Sequence, residues 1–518
     1  MRIKRRLSTI ITMCLTGFSS VSMAWNNTTV PDETIFISGS SSMDNGLRNY
    51  ITNSLCEPNT TDVYLSGGIN GKNRGMTHSA IFCTVKASKV PNLQWDAKVL
   101  FLKRSIGGSG LGVAPLIESR QIEALNIFKS SCTQTNDNPN NWICNTNEPD
   151  PFTLLIPDFG ISDVEPLLFR GPNTPAGYNP VTGASAQLLE TRVVAALLFG
   201  VPVTNGLYNA LQVIQKDRGE LPDTCQIGDY TETCMPSLSR QQIATLISGT
   251  IQNWDEFKFE KDGQTYSFTD YPGVDLLINE QKVATGREFS NFVHFCKRTS
   301  GSGTGAQQYI KYLNNPCASG TLSPSEWDNP FDGPRALLNS SSGSMDQCLD
   351  DFDKGTNYSR SINGERHNQD IFSEQPIVGW AFGQQSMEKN ANLQSGYKFI
   401  KIDGVAPTLV NAHKGTYNDW VETSFQWRKN SLTGNKLRII EKIVADSMNP
   451  AYMNIYNQYS DYSFGQSGYL ASPINGYTYS SALGQNSPPV IPYSHGAIGV
   501  LNNCRVPVIP PAPTDKPL

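Results

Sequence analysis

The chain has 518 residues and carries 41 Lys and Arg against 46 Asp and Glu, a formal net charge of −5. A weakly acidic balance with no basic stripe excludes a nucleic-acid-binding surface and gives no patch for anionic membranes. The length implies two or more compact units with ample core, and the low charged fraction of 17% with 43 Gly and 32 Pro fits a loop-rich exported protein.

Residues 1–24 read as a secretory signal peptide. Arg2, Lys4, Arg5 and Arg6 precede an apolar stretch from Leu7 to Phe18, and Ser22-Met23-Ala24 offers small residues where a signal peptidase reads. That stretch is too short for a stable transmembrane helix, and no later one is long enough to cross a bilayer. Cleavage removes four basic residues and no acidic one, so the remaining chain is more acidic still. It also leaves ten of the 11 Cys, and an even number in an exported chain predicts disulfides. Cys132/Cys144 and Cys225/Cys234 each flank a short polar loop and are the expected pairs; the partner of Cys296 stays open. There is no CxxC, and His78, His294, His367, His413 and His495 are scattered, so no metal or cofactor is expected.

Thr34-Ile35-Phe36-Ile37 reads as a first strand running into the small-residue turn Ser38-Gly39-Ser40-Ser41-Ser42-Met43, then a helix through Leu47 and Ile51. Val99-Leu100-Phe101-Leu102 is a second strand, ending in Ser105-Ile106-Gly107-Gly108-Ser109-Gly110-Leu111-Gly112 before a helical pattern reaching Phe128. Phe152–Ile156 leads into Asp158-Phe159-Gly160-Ile161-Ser162-Asp163. Val193–Phe199 is a continuous apolar run of strand type. Ser239-Arg240-Gln241-Gln242 is a capping box opening a helix through Ile247. Phe292–Phe295 is a strand that reaches Arg298-Thr299-Ser300-Gly301-Ser302-Gly303-Thr304, and Ala306, Ile310 and Leu313 then share a helical face. Residues 318–370 read as a large polar surface insertion. Ile377–Phe382 is a late buried strand, Leu437, Ile440, Val444 and Met448 mark an amphipathic helix, and the tail from Pro507 is Pro-rich and extended.

Strand, Gly/Ser turn and helix thus occur together three times. Such a turn leaves the first helix N–H groups free at the positive end of the helix dipole, which suits an anion. In the third turn the hydroxyls of Ser302 and Thr304 and the forked cation of Arg298 add donors. No Lys follows the last glycine, so this is not a nucleotide P-loop. The bland alternative is a set of flexible Gly/Ser loops.

These residues, with Ser248–Phe257, Ile377–Ala381 and Ile402–Pro407, stand in an order that resembles the periplasmic phosphate-binding proteins of phosphate ABC transporters. The resemblance spans most of the chain and implies the type II solute-binding fold: two α/β lobes, a hinge and a central cleft. It implies a first lobe of residues 25–203 plus 420–518 and a second of 204–419. Carried over residue by residue, Arg298, Ser302, Gly303 and Thr304 match the second-lobe anion loop. Asp163 matches the carboxylate that accepts a hydrogen bond from a protonated oxyanion. Ser109, Ser41 and Ser42 match first-lobe hydroxyls with a one-residue ambiguity. The ligand implied is inorganic phosphate or a related oxyanion, the partner an ABC transporter permease, and the state a monomer in the periplasm or outside the cell. Three departures stand out: Ser300 where some members have an acidic residue, long spacers at residues 56–95 and 129–150, and a chain longer than the ordinary member.

Two other classes compete. A secreted interaction or structural protein that reuses this fold would work through its insertions. An enzyme would need a nucleophile with a paired base, and Ser302 has no identifiable His partner.

Overall fold

The computed structural model describes residues 29–67, 77–147, 149–328, 333–360, 367–368, 375–481, 488–497 and 500–510. The expected signal peptide and the end of the Pro-rich tail lie outside the described residues.

The chain is a mixed α/β protein built on two main sheets. The first has eleven strands. Gln385–Ser386, Leu189–Gly200, Trp420–Arg428, Phe159–Ser162, Glu33–Gly39, Ala97–Arg104, His78–Val85, Asp62–Ser66, Asn141–Cys144 and Cys132–Gln134 lie side by side, and Tyr469–Ala471 adds to Leu189–Gly200. The second orders Arg335–Asn339, Phe289–Arg298, Val378–Gly383, Pro202–Thr204 and Tyr397–Phe399. Each sheet has its own apolar core. Ile35, Phe101, Phe159, Val194 and Ile440 lie in the first, and Leu207, Trp254, Phe295, Trp380 and Phe399 in the second. The helix Gly434–Met448 turns Ile439, Ile440, Ile443 and Val444 onto the first core, as its 3.6-residue apolar spacing predicts.

The long spacers at 56–95 and 129–150 supply strands. Asp62–Ser66, His78–Val85 and the hairpin of Cys132–Gln134 with Asn141–Cys144 extend the first sheet beyond Ala97–Arg104. The helical pattern expected to reach Phe128 is corrected. A 3-10 turn at Ser109–Gly112 and a short helix Ala114–Glu118 end at Ser119, whose φ of 52° is left-handed, and Ile122–Leu125 then pairs as a strand with Phe152–Leu155. The polar-insertion reading of 318–370 is also corrected in part. Arg335–Asn339 is a parallel neighbour of Phe289–Arg298, and the helix Ser342–Lys354 is buried from Ser342 to Phe352 except at Ser344.

Leu189–Gly200 belongs to the first sheet and Pro202–Thr204, after a single residue, to the second. The return is at Asp419, whose carbonyl accepts from Phe199 N at 2.9 Å just before Trp420–Arg428. A further excursion occurs after Val378–Gly383, where Gln385–Ser386 pairs with Leu189–Gly200. Five disulfides join the described cysteines. The two expected pairs, Cys132–Cys144 and Cys225–Cys234, are present; Cys296 pairs with Cys348, and Cys56–Cys83 and Cys317–Cys504 complete the set.

Candidate functional site

Three parallel strands of the first sheet end together. Ser38 stands level with Arg104 on one side and Gly160 on the other, so Ser40–Ser42, the 105–110 turn and Asp163 emerge from one edge. Gly39 makes this possible. Its φ is 112°, and an added Cβ would strike the backbone of Ile161 and lie 2.8 Å from Gly112 Cα. In the second sheet Arg298 is level with Asn339, so the turns that follow both strands also emerge together. One leads into the helix Gly303–Leu313, capped by Ser302 Oγ accepting from Gly305 N at 3.2 Å. The other leads into the helix Ser342–Lys354, capped by Ser341. Gly303 and Thr304, in the first turn of their helix, have N–H groups with no intrahelical carbonyl to reach.

The two sets of turns face one another and touch. Asp163 is 1% exposed; its Oδ1 accepts from Ser42 Oγ at 2.6 Å and from Ser40 Oγ, and its Oδ2 from Thr304 Oγ1 at 3.2 Å. The Asp163 N–H donates to Ser109 Oγ at 3.1 Å. Gly110 N donates to Gly301 O at 2.6 Å, and Ser41 Oγ meets Ser342 Oγ at 2.9 Å. A Cβ on Gly303 would overlap Ser109 Oγ and lie 2.8 Å from Asp163 Cβ, so the two sets of turns are in close contact here.

All eight residues singled out in the sequence are brought to this place. Asp163, Arg298, Ser302 and Thr304 are buried, as are Ser41, Ser42 and Ser109, and Gly303 lies between Ser109 and Asp163. Sequence reasoning missed Ser40, which shares Asp163 Oδ1 with Ser42, and Ser342, which meets both Ser41 and Arg298. A signal for Ser342 was present. Leu337-Leu338-Asn339 is followed by Ser340-Ser341-Ser342-Gly343-Ser344 and then Met345, Leu349 and Phe352 at helical spacing, the strand–turn–helix pattern once more.

Arg298 is 3% exposed, and among the described residues it forms no salt bridge. Its contacts are long: Nε to Asn339 O at 3.2 Å, one terminal nitrogen to Thr304 Oγ1 and Ser342 Oγ at 3.4 Å each, and the other to Ser340 O at 3.5 Å. Burial pushes its guanidinium down to about 10, opposed chiefly by the nearby Asp163. Lys103, by contrast, is matched. Its Nζ lies 3.1 Å from Asp44 Oδ1 and donates to Ser105 Oγ at 2.7 Å and Ser40 O at 2.9 Å, a strut under the first turn. Burial lowers the Lys103 ammonium, and Asp44 opposes the shift.

The arrangement offers a fixed cation, seven hydroxyls, two helix starts and one carboxylate. It has the donors to replace the hydration of a tetrahedral oxyanion and one acceptor for a proton that the anion keeps. No group of three or more His, Cys, Asp or Glu suited to a metal occurs among the described residues. A cavity of about 410 Å³ lies elsewhere, between Leu211, Gln215, Trp254 and Phe259.

No protein family and no curated protein matches this chain. Among solved structures it is similar to a phosphate ABC transporter substrate-binding protein with bound phosphate from Clostridium perfringens, at 12% identity over 82% of this chain and 98% of that one, TM-score 0.37. It is similar also to an ABC-type phosphate transport receptor from Vibrio cholerae, at 12% identity over 82% and 98%, TM-score 0.35. Likenesses this distant carry no argument about what this chain binds.

Proposed function

We propose that this chain is an exported solute-binding protein that holds monohydrogen phosphate between two lobes, the first formed by residues 25–203 with 420–518 and the second by 204–419. The observation that carries the reading is Arg298: a buried guanidinium with no salt bridge among the described residues and only long hydrogen bonds, set where five strand ends converge. A buried cation held this loosely is stabilised by an anion that completes its fork. Arg298, Ser302, Gly303 and Thr304 would bind from one lobe, and Ser41, Ser42 and Ser109 from the other. Asp163 would accept the proton that phosphate retains at neutral pH and sulfate lacks, which discriminates between the two. Binding of this kind has no catalytic step. Delivery to an ABC transporter permease extends the reading, and the disulfides fit an oxidising compartment outside the cytosol.

Calorimetric titration of phosphate into phosphate-stripped protein tests it. Several charge-assisted hydrogen bonds of about 1.5–3 kcal/mol each lead to a dissociation constant in the micromolar range or below. An absence of both heat and thermal shift removes the reading. One observation favours a second reading, a secreted interaction protein that retains this fold. Ala306 and Ile310 of the second-lobe helix pack in the first core, which opening and closing for transport does not require.

A further inference from the structure

Residues 488–497 and 500–510 form a strap that runs over both lobes. The strap begins as an extension of the first sheet: Ala471 N donates to Pro489 O at 2.8 Å and Ile491 N to Ala471 O at 3.1 Å. It next grips Glu422, a fully buried residue of the first-sheet strand Trp420–Arg428. Ser494 Oγ and His495 N each donate to Glu422 Oε1 at 2.8 Å, and His495 Nδ1 lies 2.6 Å from Oε2. With Nδ1 committed to the carboxylate, Nε2 is the acceptor for Lys311 Nζ at 3.1 Å. Lys311 belongs to the helix Gly303–Leu313, whose first turn carries Gly303 and Thr304. Further on, Asn503 donates from its backbone N at 3.0 Å and from its side chain to Glu165, two residues after Asp163. Cys504 then bonds to Cys317, just past the end of the same second-lobe helix.

The contact between Asp163 and Thr304 spans the cleft, and each side of it is tied to this strap: Asp163 through Glu165, and Thr304 through its helix, Lys311 and Cys317. The helix is held from a second direction as well. Gln307 and Tyr312 both donate to Asp419, the residue at the return crossing, the tyrosine at 2.6 Å.

We propose that the strap, closed by Cys317–Cys504, locks the two lobes together, and that reduction of this disulfide speeds anion exchange. A dithiol reductant of the surroundings supplies the two electrons and two protons; the S–S bond breaks, two thiols form, and the reductant becomes its own disulfide. The bonds to Glu165 and Glu422 then hold the strap to the first lobe, and the helix Gly303–Leu313 loses its one covalent tie to it, keeping the weaker contacts of Lys311, of Thr304 with Asp163 and of Ala306 and Ile310 with the first core. The exchange part rests on the phosphate reading above; the lock does not.

The test compares wild type, Cys317→Ser/Cys504→Ser and, as a control, Cys132→Ser/Cys144→Ser in the edge hairpin. Two quantities are measured: amide hydrogen exchange in the 107–111 and 301–305 segments, and release of radiolabelled inorganic phosphate. The strap variant is expected to speed both at least tenfold, and the hairpin variant neither. Unchanged exchange in those segments overturns the lock. Should phosphate bind none of the proteins, the phosphate reading fails and hydrogen exchange alone decides the lock. If the strap variant does not fold, wild type treated with dithiothreitol until peptide mapping shows Cys317 and Cys504 alkylated is read in the same way.

Discussion

Arg298→Met separates a ligand-binding arginine from a structural one, because the two roles predict opposite signs. The substitution removes the charge and keeps a long apolar stem. In the phosphate-free protein the charge is a burden. Burial pushes the guanidinium down to about 10, and the distance from its ordinary range corresponds to about 3 kcal/mol against the charged form. The four hydrogen bonds lost are long, and each acceptor keeps another partner. Asn339 O accepts from Thr299 N and Ser340 O from Gly107 N, Ser342 Oγ meets Ser41 Oγ, and Thr304 Oγ1 stays on Asp163. No buried acceptor is orphaned, so the usual penalty for truncating a buried polar group is absent. Phosphate-free Arg298→Met is therefore expected to melt at or above the wild-type temperature, by up to about 3 kcal/mol in stability. With phosphate the sign reverses. Loss of one charge-assisted contact of about 1.5–3 kcal/mol weakens binding roughly 10- to 150-fold. Differential scanning fluorimetry with and without phosphate, with calorimetry for the affinity, reads both. A variant that melts several degrees lower without phosphate, or that binds phosphate as tightly as wild type, refutes the reasoning.

Asp163→Asn keeps an oxygen for Ser40 and Ser42 but turns one acceptor into a donor. It is expected to narrow the preference for phosphate over sulfate more than it weakens phosphate binding, as read by competition calorimetry; an unchanged preference removes the role given to Asp163. Gly303→Ala places a Cβ against Ser109 Oγ and 2.8 Å from Asp163 Cβ. The wedge is expected to hold the cleft apart and to raise the radius of gyration in small-angle scattering, and an unaltered profile counts against the closed contact. Asp346 is held up to about 6 by burial while accepting from Gln385 and Tyr397. A carboxyl raised in the folded state contributes stability that is fully present below its unfolded pKa and is lost as pH rises through about 6. Asp346→Asn should therefore gain on wild type, by up to about 3 kcal/mol, between pH 4 and pH 7 in denaturant titrations; a constant difference across that window disproves the assignment.

Local pattern carried a large part of this protein into its sequence. The apolar runs around Ile35, Val99, Val193 and Phe295 are strands because β-branched and large apolar residues pack on both faces of a buried sheet. The capping box at Ser239 and Gln242 forms because its two side chains satisfy free N–H groups within one turn. The Gly/Ser turns mark the places where backbone must come close and pointed to Arg298, Ser302 and Thr304, while Gly303, Asp163, Ser109, Ser41 and Ser42 were named through the resemblance to phosphate-binding proteins.

Where sequence reasoning failed, the deciding contacts are distant. Residues 111–128 carry helical spacing, but Ile122–Leu125 finds Phe152–Leu155 across thirty residues and becomes a strand. The Ser-rich stretch around residue 340 looks like a surface loop until Arg335–Asn339 is paired with Phe289–Arg298. Cysteine count predicted disulfides, and two short-range pairs followed from their loops. Cys317–Cys504, separated by 187 residues, had no local signature. The sequence thus determined which segments become strands, turns and caps, since those are settled within a few residues by propensity and hydrogen-bond satisfaction. Only the tertiary structure decided that Ser40 and Ser42 share Asp163, that Arg298 is buried with no salt bridge among the described residues, and that Cys317 meets Cys504. Those facts depend on pairings and burial between residues tens to hundreds of positions apart, which no local pattern specifies.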